Sequence, residues 1–177
     1  MLPILKELEK SRENFWNITP DVGAFLFTLI KERNYKIGLE IGTSNGYSGI
    51  WLSKALEEQG GHLYTIESHA QRFQMAEENF KKAKIKNITQ IKGHAPEAIP
   101  KKPKMLDFAF FDATKYEHIK YFEILESRIK KGGMIITDNI ISHKEQLEPY
   151  IKTVQKNKNF HSEILNIGTG LMLSYRL

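Results

Sequence analysis

The sequence predicts an α/β fold: a seven-stranded mixed sheet with helices on both faces and a C-terminal antiparallel hairpin. Three observations carry the prediction. Short apolar runs alternate with segments of helical apolar spacing, giving five strand–helix units in succession, the pattern of a mostly parallel sheet. The first such run ends in an acid and opens into two spaced glycines, Glu40-Ile41-Gly42-Thr43-Ser44-Asn45-Gly46. The last two runs are joined by Gly168-Thr169-Gly170, a hairpin signal.

Each element has its own justification. Two helical segments come first, over 2–15 and 20–33. Pro20 suits a first helical turn, where its missing N–H has no partner to lose, and Phe25, Leu26, Leu29 and Ile30 make one apolar stripe. Residues 1–33 are expected to cap the sheet within a single domain over 1–177. Ile37, Leu39 and Ile41 form the first strand, and Tyr47, Ile50, Trp51 and Ala55 recur at helical spacing after the glycine loop. Strand, glycine loop and helix follow in the order of a Rossmann-like crossover. His62 to Ile66 is the second strand, ending at Glu67, and Phe73, Ala76, Phe80 and Ala83 mark the next helix. Ile88 to Ile91 is the third strand, after which Gly93-His94-Ala95-Pro96 is expected to turn into a short helix. Met105 to Phe111 is almost continuously apolar, as in a strand covered on both faces, and ends at Asp112. A helix carrying Ile119, Phe122, Leu125 and Ile129 is expected to close at Lys130-Lys131-Gly132-Gly133, with lysines at its negative end and glycine in the left-handed conformation. Met134 to Thr137 is the fifth strand, ending at Asp138-Asn139. A helix over about 143–156 leads to strands over 160–167 and 171–175.

Composition narrows the function classes. A chain of 177 residues suffices for one full core, and two domains would each be unusually small. Its 41% hydrophobic and 27% charged residues fit a water-soluble globular protein, and no apolar run approaches the ~18 residues of a membrane span. The opening segment is amphipathic and of mixed charge rather than a leader, so the cytoplasm is the expected location and no membrane partner is expected. With no cysteine, disulfides, thiolate catalysis and zinc–thiolate sites are excluded. The net charge of +5 is compatible with an anionic partner such as RNA, but the lysines are spread over several segments and read first as solvated surface.

In an open α/β sheet the ligand sits beyond the carboxyl ends of the strands. The loop Glu-x-Gly-x-x-x-Gly lacks the third glycine and the close first pair of a dinucleotide fingerprint, which disfavours a pyrophosphate cradle. A carboxylate at Glu40 instead suits a ligand with a cationic ammonium or sulfonium, such as S-adenosylmethionine. Glu67 lies 21 residues beyond Gly46, where a carboxylate can accept both ribose hydroxyls. Asp112, Asp138 and Asn139 fall on the same rim and offer only hard oxygen ligands, which suits Mg²⁺ better than zinc or copper. Lys115, three residues after Asp112, can reach the same pocket as a base or as a stabiliser of an oxyanion. The plain alternatives are a structural glycine turn, helix N-caps at Asp112 and Asp138, and an exposed helix lysine.

The motifs Leu39 to Ser48, Phe111-Asp112-Ala113-Thr114-Lys115, Thr137-Asp138-Asn139 and Ile167 to Leu171 resemble those of the metal-dependent class I O-methyltransferases, the family of catechol and caffeoyl-coenzyme A O-methyltransferases, over nearly the whole chain. The resemblance implies that Glu40, Gly42, Gly46, Ser48 and Glu67 bind S-adenosylmethionine, that Ala95 meets the adenine, and that Asp112, Asp138 and Asn139 hold the metal beside the cofactor. It implies that Lys115 assists deprotonation and that Phe15-Trp16-Asn17-Ile18 forms a cofactor and substrate wall. Trp16 is then expected either in the core or against the sulfonium or an aromatic acceptor. Two departures stand out: His118 replaces the tyrosine often found three residues after the lysine, and the long N-terminal extension and insertion loop of coenzyme A ester enzymes have no counterpart. His118 and His143 read as surface histidines flanking helices, with the acceptor site as the alternative. The expected acceptor is a small catechol-like molecule, or alternatively tRNA bearing 5-hydroxyuridine at the wobble position. A homodimer is an allowed state for such a chain. On fold alone, a nicotinamide or flavin oxidoreductase and a non-catalytic binding module are the competing classes.

Overall fold

The computed structural model describes residues 2–177. Its elements run α1 (Pro3–Glu9), α2 (Arg12–Phe15), α3 (Pro20–Glu32), β1 (Ile37–Ile41), α4 (Tyr47–Glu57), β2 (His62–Glu67), α5 (Ala70–Lys82), β3 (Ile88–Lys92), β4 (Leu106–Phe111), α6 (His118–Leu125), β5 (Ile129–Thr137), α7 (Lys144–Lys156), β6 (Phe160–Leu165) and β7 (Leu171–Arg176). The seven strands lie in the order β3-β2-β1-β4-β5-β7-β6. Neighbours from β3 to β5 pair parallel, and β7 runs antiparallel to both β5 and β6. The order reverses between β1 and β4, so their carboxyl ends diverge into a crevice, the place where such sheets bind ligands.

Strand periodicity distributes the core. On β4, Phe108 and Phe110 join one cluster with Leu26, Ile30, Ile50 and Leu56, while Ala109 and Phe111 join another with Phe122, Leu125, Leu147 and Tyr150. Alternate side chains point to opposite faces of a strand, so β4 reads as continuously apolar because α3 and α4 cover one face and α6 and α7 the other.

Three expected elements differ. The first helical segment breaks into α1 and α2, which ends at Trp16 in the left-handed conformation (φ 52°). The segment after Gly93 forms turns rather than a short helix. Lys130 to Gly133 belongs to β5 instead of closing a helix: α6 ends at Leu125, a 3-10 turn spans Glu126–Arg128, and Gly132 takes φ 77° within an irregular stretch where pairing with β4 skips from Ile129 to Met134. Asp107 explains why the chain prefers the bulge. Its carboxylate accepts Lys130 Nζ at 2.8 Å and the backbone N–H groups of Lys36 and Ile37 at 2.8 and 2.7 Å, and Tyr35 Oη donates to the Gly132 carbonyl at 2.7 Å.

Candidate active site

A cavity of about 710 Å³ opens over the carboxyl ends of β1, β2, β4 and β5, within the range of small-molecule sites. Its floor is the loop after β1. Gly42 has φ 104°, and a β-carbon there would overlap the Asp112 carbonyl oxygen, so only glycine lets the β1 and β4 loops approach. Gly46, with φ 88°, precedes α4 and packs against Phe80; it shapes the loop from behind the cavity wall.

Glu40 also stands behind that wall and is fully buried. Ser48 Oγ donates to its Oε1 at 2.6 Å, and Thr65 Oγ1 donates to its Oε2 at 2.5 Å. Since the single Thr65 proton is committed to Glu40, Thr43 Oγ1 is the donor in its 2.5 Å contact with Thr65. Burial pushes the Glu40 carboxyl up to about 7, and the nearby acids Asp112 and Glu67 add to the rise against the lowering by Ser48 and Thr65. Ser48 lines the cavity whereas Glu40 does not, so Glu40 borders it only through the hydroxyl it holds.

Glu67 faces the cavity while tying two loops together: its Oε2 accepts Ser44 N–H and its Oε1 accepts His69 N–H, each at 2.8 Å. Ala95 and Ile18, 5% and 4% exposed, both line the cavity. Trp16 corrects the core alternative: at 73% exposure it stands at the cavity mouth with the Arg72 guanidinium 5.0 Å from its ring centre. Its left-handed backbone at the end of α2 turns the ring outward.

The same cavity gathers the oxygen-bearing side chains that follow β4 and β5. Asp112 follows β4, and Asp138 and Asn139 follow β5, because the register pairs Phe111 with Thr137 and so ends both strands at one level. Neither carboxylate makes a helix-capping contact: α6 and its preceding turn begin after Thr114, and α7 begins after His143. Lys115 Nζ donates to Asp112 Oδ1 at 3.2 Å and to Asn139 Oδ1. Asp138 is 2% exposed, and burial together with the charge of Asp112 pushes its carboxyl up to about 6. Two carboxylates that repel and one amide oxygen form a donor set that fits a hard divalent cation, which would relieve the repulsion. Among the described residues no three His, Cys, Asp or Glu side chains come together; beside the two carboxylates, the Asn139 amide offers a third side-chain oxygen on the same cavity wall.

Thr169 was not legible as part of this site. From the β6–β7 hairpin its Oγ1 donates to Asp138 Oδ1 at 2.7 Å and accepts Asn139 Nδ2 at 3.1 Å. The sequence marked the segment as a hairpin turn and as part of the family-like motif Ile167 to Leu171, but gave Thr169 no role of its own; the signal lay in a hydroxyl flanked by two glycines. A second missed group is Glu117, buried and bonded to His94 Nε2 at 3.1 Å and to Tyr121 Oη at 3.0 Å beside Ala95. His143 is exposed as expected, whereas His118 is fully buried, correcting the surface reading. Its ring fits among Phe111, Tyr121 and Tyr150 because α6 starts there and turns it inward.

Comparison with known proteins places this geometry. The family model described as O-methyltransferase matches residues 2–175. The chain belongs to the O-methyltransferase family. Membership carries S-adenosylmethionine-dependent O-methyl transfer as its activity, as the motifs had led us to expect. Catechol O-methyltransferase of Niastella koreensis is 31% identical over 137 residues, 75% of this chain and 62% of that protein, so this chain spans less than two thirds of it. Caffeoyl-CoA O-methyltransferase of Populus kitakamiensis is 31% identical over 186 residues, 91% of this chain and 78% of that one. The crystal structure of a Bacillus cereus O-methyltransferase in complex with S-adenosylhomocysteine superimposes with a TM-score of 0.88 at 23% identity, covering 100% of this chain and 92% of that one, which is agreement in fold. Among the described residues no helix is long and apolar enough to cross a membrane.

Proposed function

We propose that this O-methyltransferase moves the methyl group of S-adenosylmethionine to a hydroxyl of a small catechol-like acceptor with two neighbouring oxygens, and that Asp112, Asp138 and Asn139 hold Mg²⁺ beside the cofactor. The observation that carries the reading is the convergence in one cavity of Ser48 and Glu67 with Asp112, Lys115, Asp138 and Asn139. Glu67 receives the ribose hydroxyls, Ala95 and Ile18 enclose the adenosyl moiety, and Ser48, held by Glu40, meets the methionine end. When bound, the cation supplies positive charge that acidifies the acceptor hydroxyl and fixes its two oxygens. Lys115 in its amine form takes the hydroxyl proton on Nζ. The acceptor oxygen then forms a bond to the methyl carbon while the carbon–sulfur bond breaks, its electron pair returning to sulfur and leaving neutral S-adenosylhomocysteine. Charge is neutralised along this path, so the protein contributes chiefly by holding the reacting atoms about 3 Å apart and in line.

Arginines at the mouth, Arg12 and Arg72, favour one second reading, in which the acceptor is a hydroxylated uridine in tRNA. Methyl-labelled cofactor offered in parallel to catechols and bulk tRNA, with and without chelator, tests both. Label in the catechol fraction that vanishes with chelator is expected. Label in tRNA with steep loss at raised salt would select the second reading, because phosphate contacts release counterions. Full turnover under excess chelator would overturn the cation's part.

A further inference from the structure

We propose that His118 is a positioning residue for methyl transfer, its imidazole holding the Asp112–Lys115 turn through one hydrogen bond to the Thr114 carbonyl. His118 Nδ1 lies 3.0 Å from that oxygen, which also accepts the Glu117 N–H at 3.1 Å. Thr114 directly precedes Lys115 and sits two residues after Asp112, so its carbonyl is the point at which the turn carrying both groups is anchored. The carbonyl is only an acceptor, so the ring proton is on Nδ1 and Nε2 carries a lone pair. Nε2 is buried and has no hydrogen-bond partner among the described residues. Burial and the nearby Lys115 charge press the imidazole down to about 3, keeping it neutral.

The surroundings argue against packing as the reason for a histidine. Phe111 and Tyr150 meet the ring edge to face, with centres 5.7 and 5.4 Å away, and Tyr121 lies 5.5 Å away. That environment would accept a wholly apolar ring, and an unpaired buried nitrogen is costly. What an imidazole adds over such a ring is the Nδ1 donor, aimed at the backbone beside the catalytic lysine. This inference rests on the proposed roles of Asp112 and Lys115.

Three substitutions separate the donor from the ring. His118→Phe keeps apolar packing and removes the donor; His118→Asn places an amide N–H where Nδ1 stands and removes the ring; His118→Gln places it one bond further out. We expect His118→Phe to keep its melting temperature while kcat falls about three- to tenfold, the worth of one hydrogen bond, with KM for S-adenosylmethionine unchanged. His118→Asn melts lower yet retains most of its turnover when assayed below its transition, and His118→Gln melts lower and loses turnover. If activity simply follows melting temperature across the series, or if His118→Phe turns over like wild type, the proposal is wrong. Should His118→Phe not fold, the Asn and Gln variants, both without the ring and differing only in reach, make the same comparison. Lys115→Met, assayed alongside, distinguishes the two failures: full turnover there removes the underlying reading, whereas a large loss there with none in His118→Phe removes only this inference.

Discussion

Thr169→Val is the sharpest single perturbation, because it keeps the side chain's shape and deletes one hydroxyl. That hydroxyl donates to Asp138 Oδ1 at 2.7 Å, and Asp138 is 2% exposed, so no water replaces the lost donor without rearrangement. A hydrogen bond to a buried charged group contributes about 1.5–3 kcal/mol. Its loss falls on the ionised carboxylate, the form that a cation requires, and the carboxyl already pushed up to about 6 rises further. The variant also leaves Asn139 Nδ2 without its acceptor, which loosens the amide that presents Oδ1. Converted at about 1.4 kcal/mol per factor of ten, the affinity for a divalent cation falls tenfold or more. Calorimetric titration with Mn²⁺ and the Mg²⁺ dependence of turnover both read this, while S-adenosylhomocysteine affinity stays within about twofold because Thr169 makes no hydrogen bond to Ser48 or Glu67. Wild-type Mn²⁺ affinity in Thr169→Val would refute the reasoning.

Other changes report on separate parts of the account. Gly42→Ala should destabilise the fold by on the order of 2 kcal/mol or more and abolish cofactor binding, since φ is 104° and the new methyl meets the Asp112 carbonyl; an unfolding curve with cofactor titration checks it. Glu40 sets a stability slope. Its folded pKa of about 7 exceeds the unfolded value near 4.5, so the folded state binds the extra proton and cofactor-free stability declines as pH rises from about 4.5 to 7, by on the order of 3 kcal/mol. Glu40→Gln should flatten that decline in urea unfolding at pH 5 and pH 8, and an identical slope in both proteins would count against it. Lys115→Met should lower kcat by about 10²- to 10⁴-fold with S-adenosylhomocysteine affinity unchanged. Equal losses of both would instead mean a collapsed pocket.

The strand ends were readable because acids break apolar runs abruptly: Glu67, Asp112 and Asp138 each follow a strand residue or close one, and parallel register does the rest. Gly42 was readable because a positive φ and a close approach both demand glycine. What escaped the sequence depended on long-range contact. Glu40 was expected to face a cationic ligand, and the structure shows it spending both oxygens on Ser48 and Thr65, residues 8 and 25 positions away. Thr169 reaches Asp138 across 31 positions, a distance no local pattern encodes. Lys130 to Gly133 mimics a helix terminus so well that only Asp107, pairing from a neighbouring strand, reveals the bulge. Histidine polarity made His118 look like surface; burial against three aromatic rings is a tertiary fact.

Asp138→Ala tests the central claim most directly, with Mn²⁺ and S-adenosylhomocysteine titrated separately into wild type and variant. The account predicts that wild type takes up one Mn²⁺ per chain, and that the variant loses this binding while holding S-adenosylhomocysteine as before. Undiminished Mn²⁺ uptake by the variant would place the cation elsewhere and contradict the shared rim of Asp112, Asp138 and Asn139.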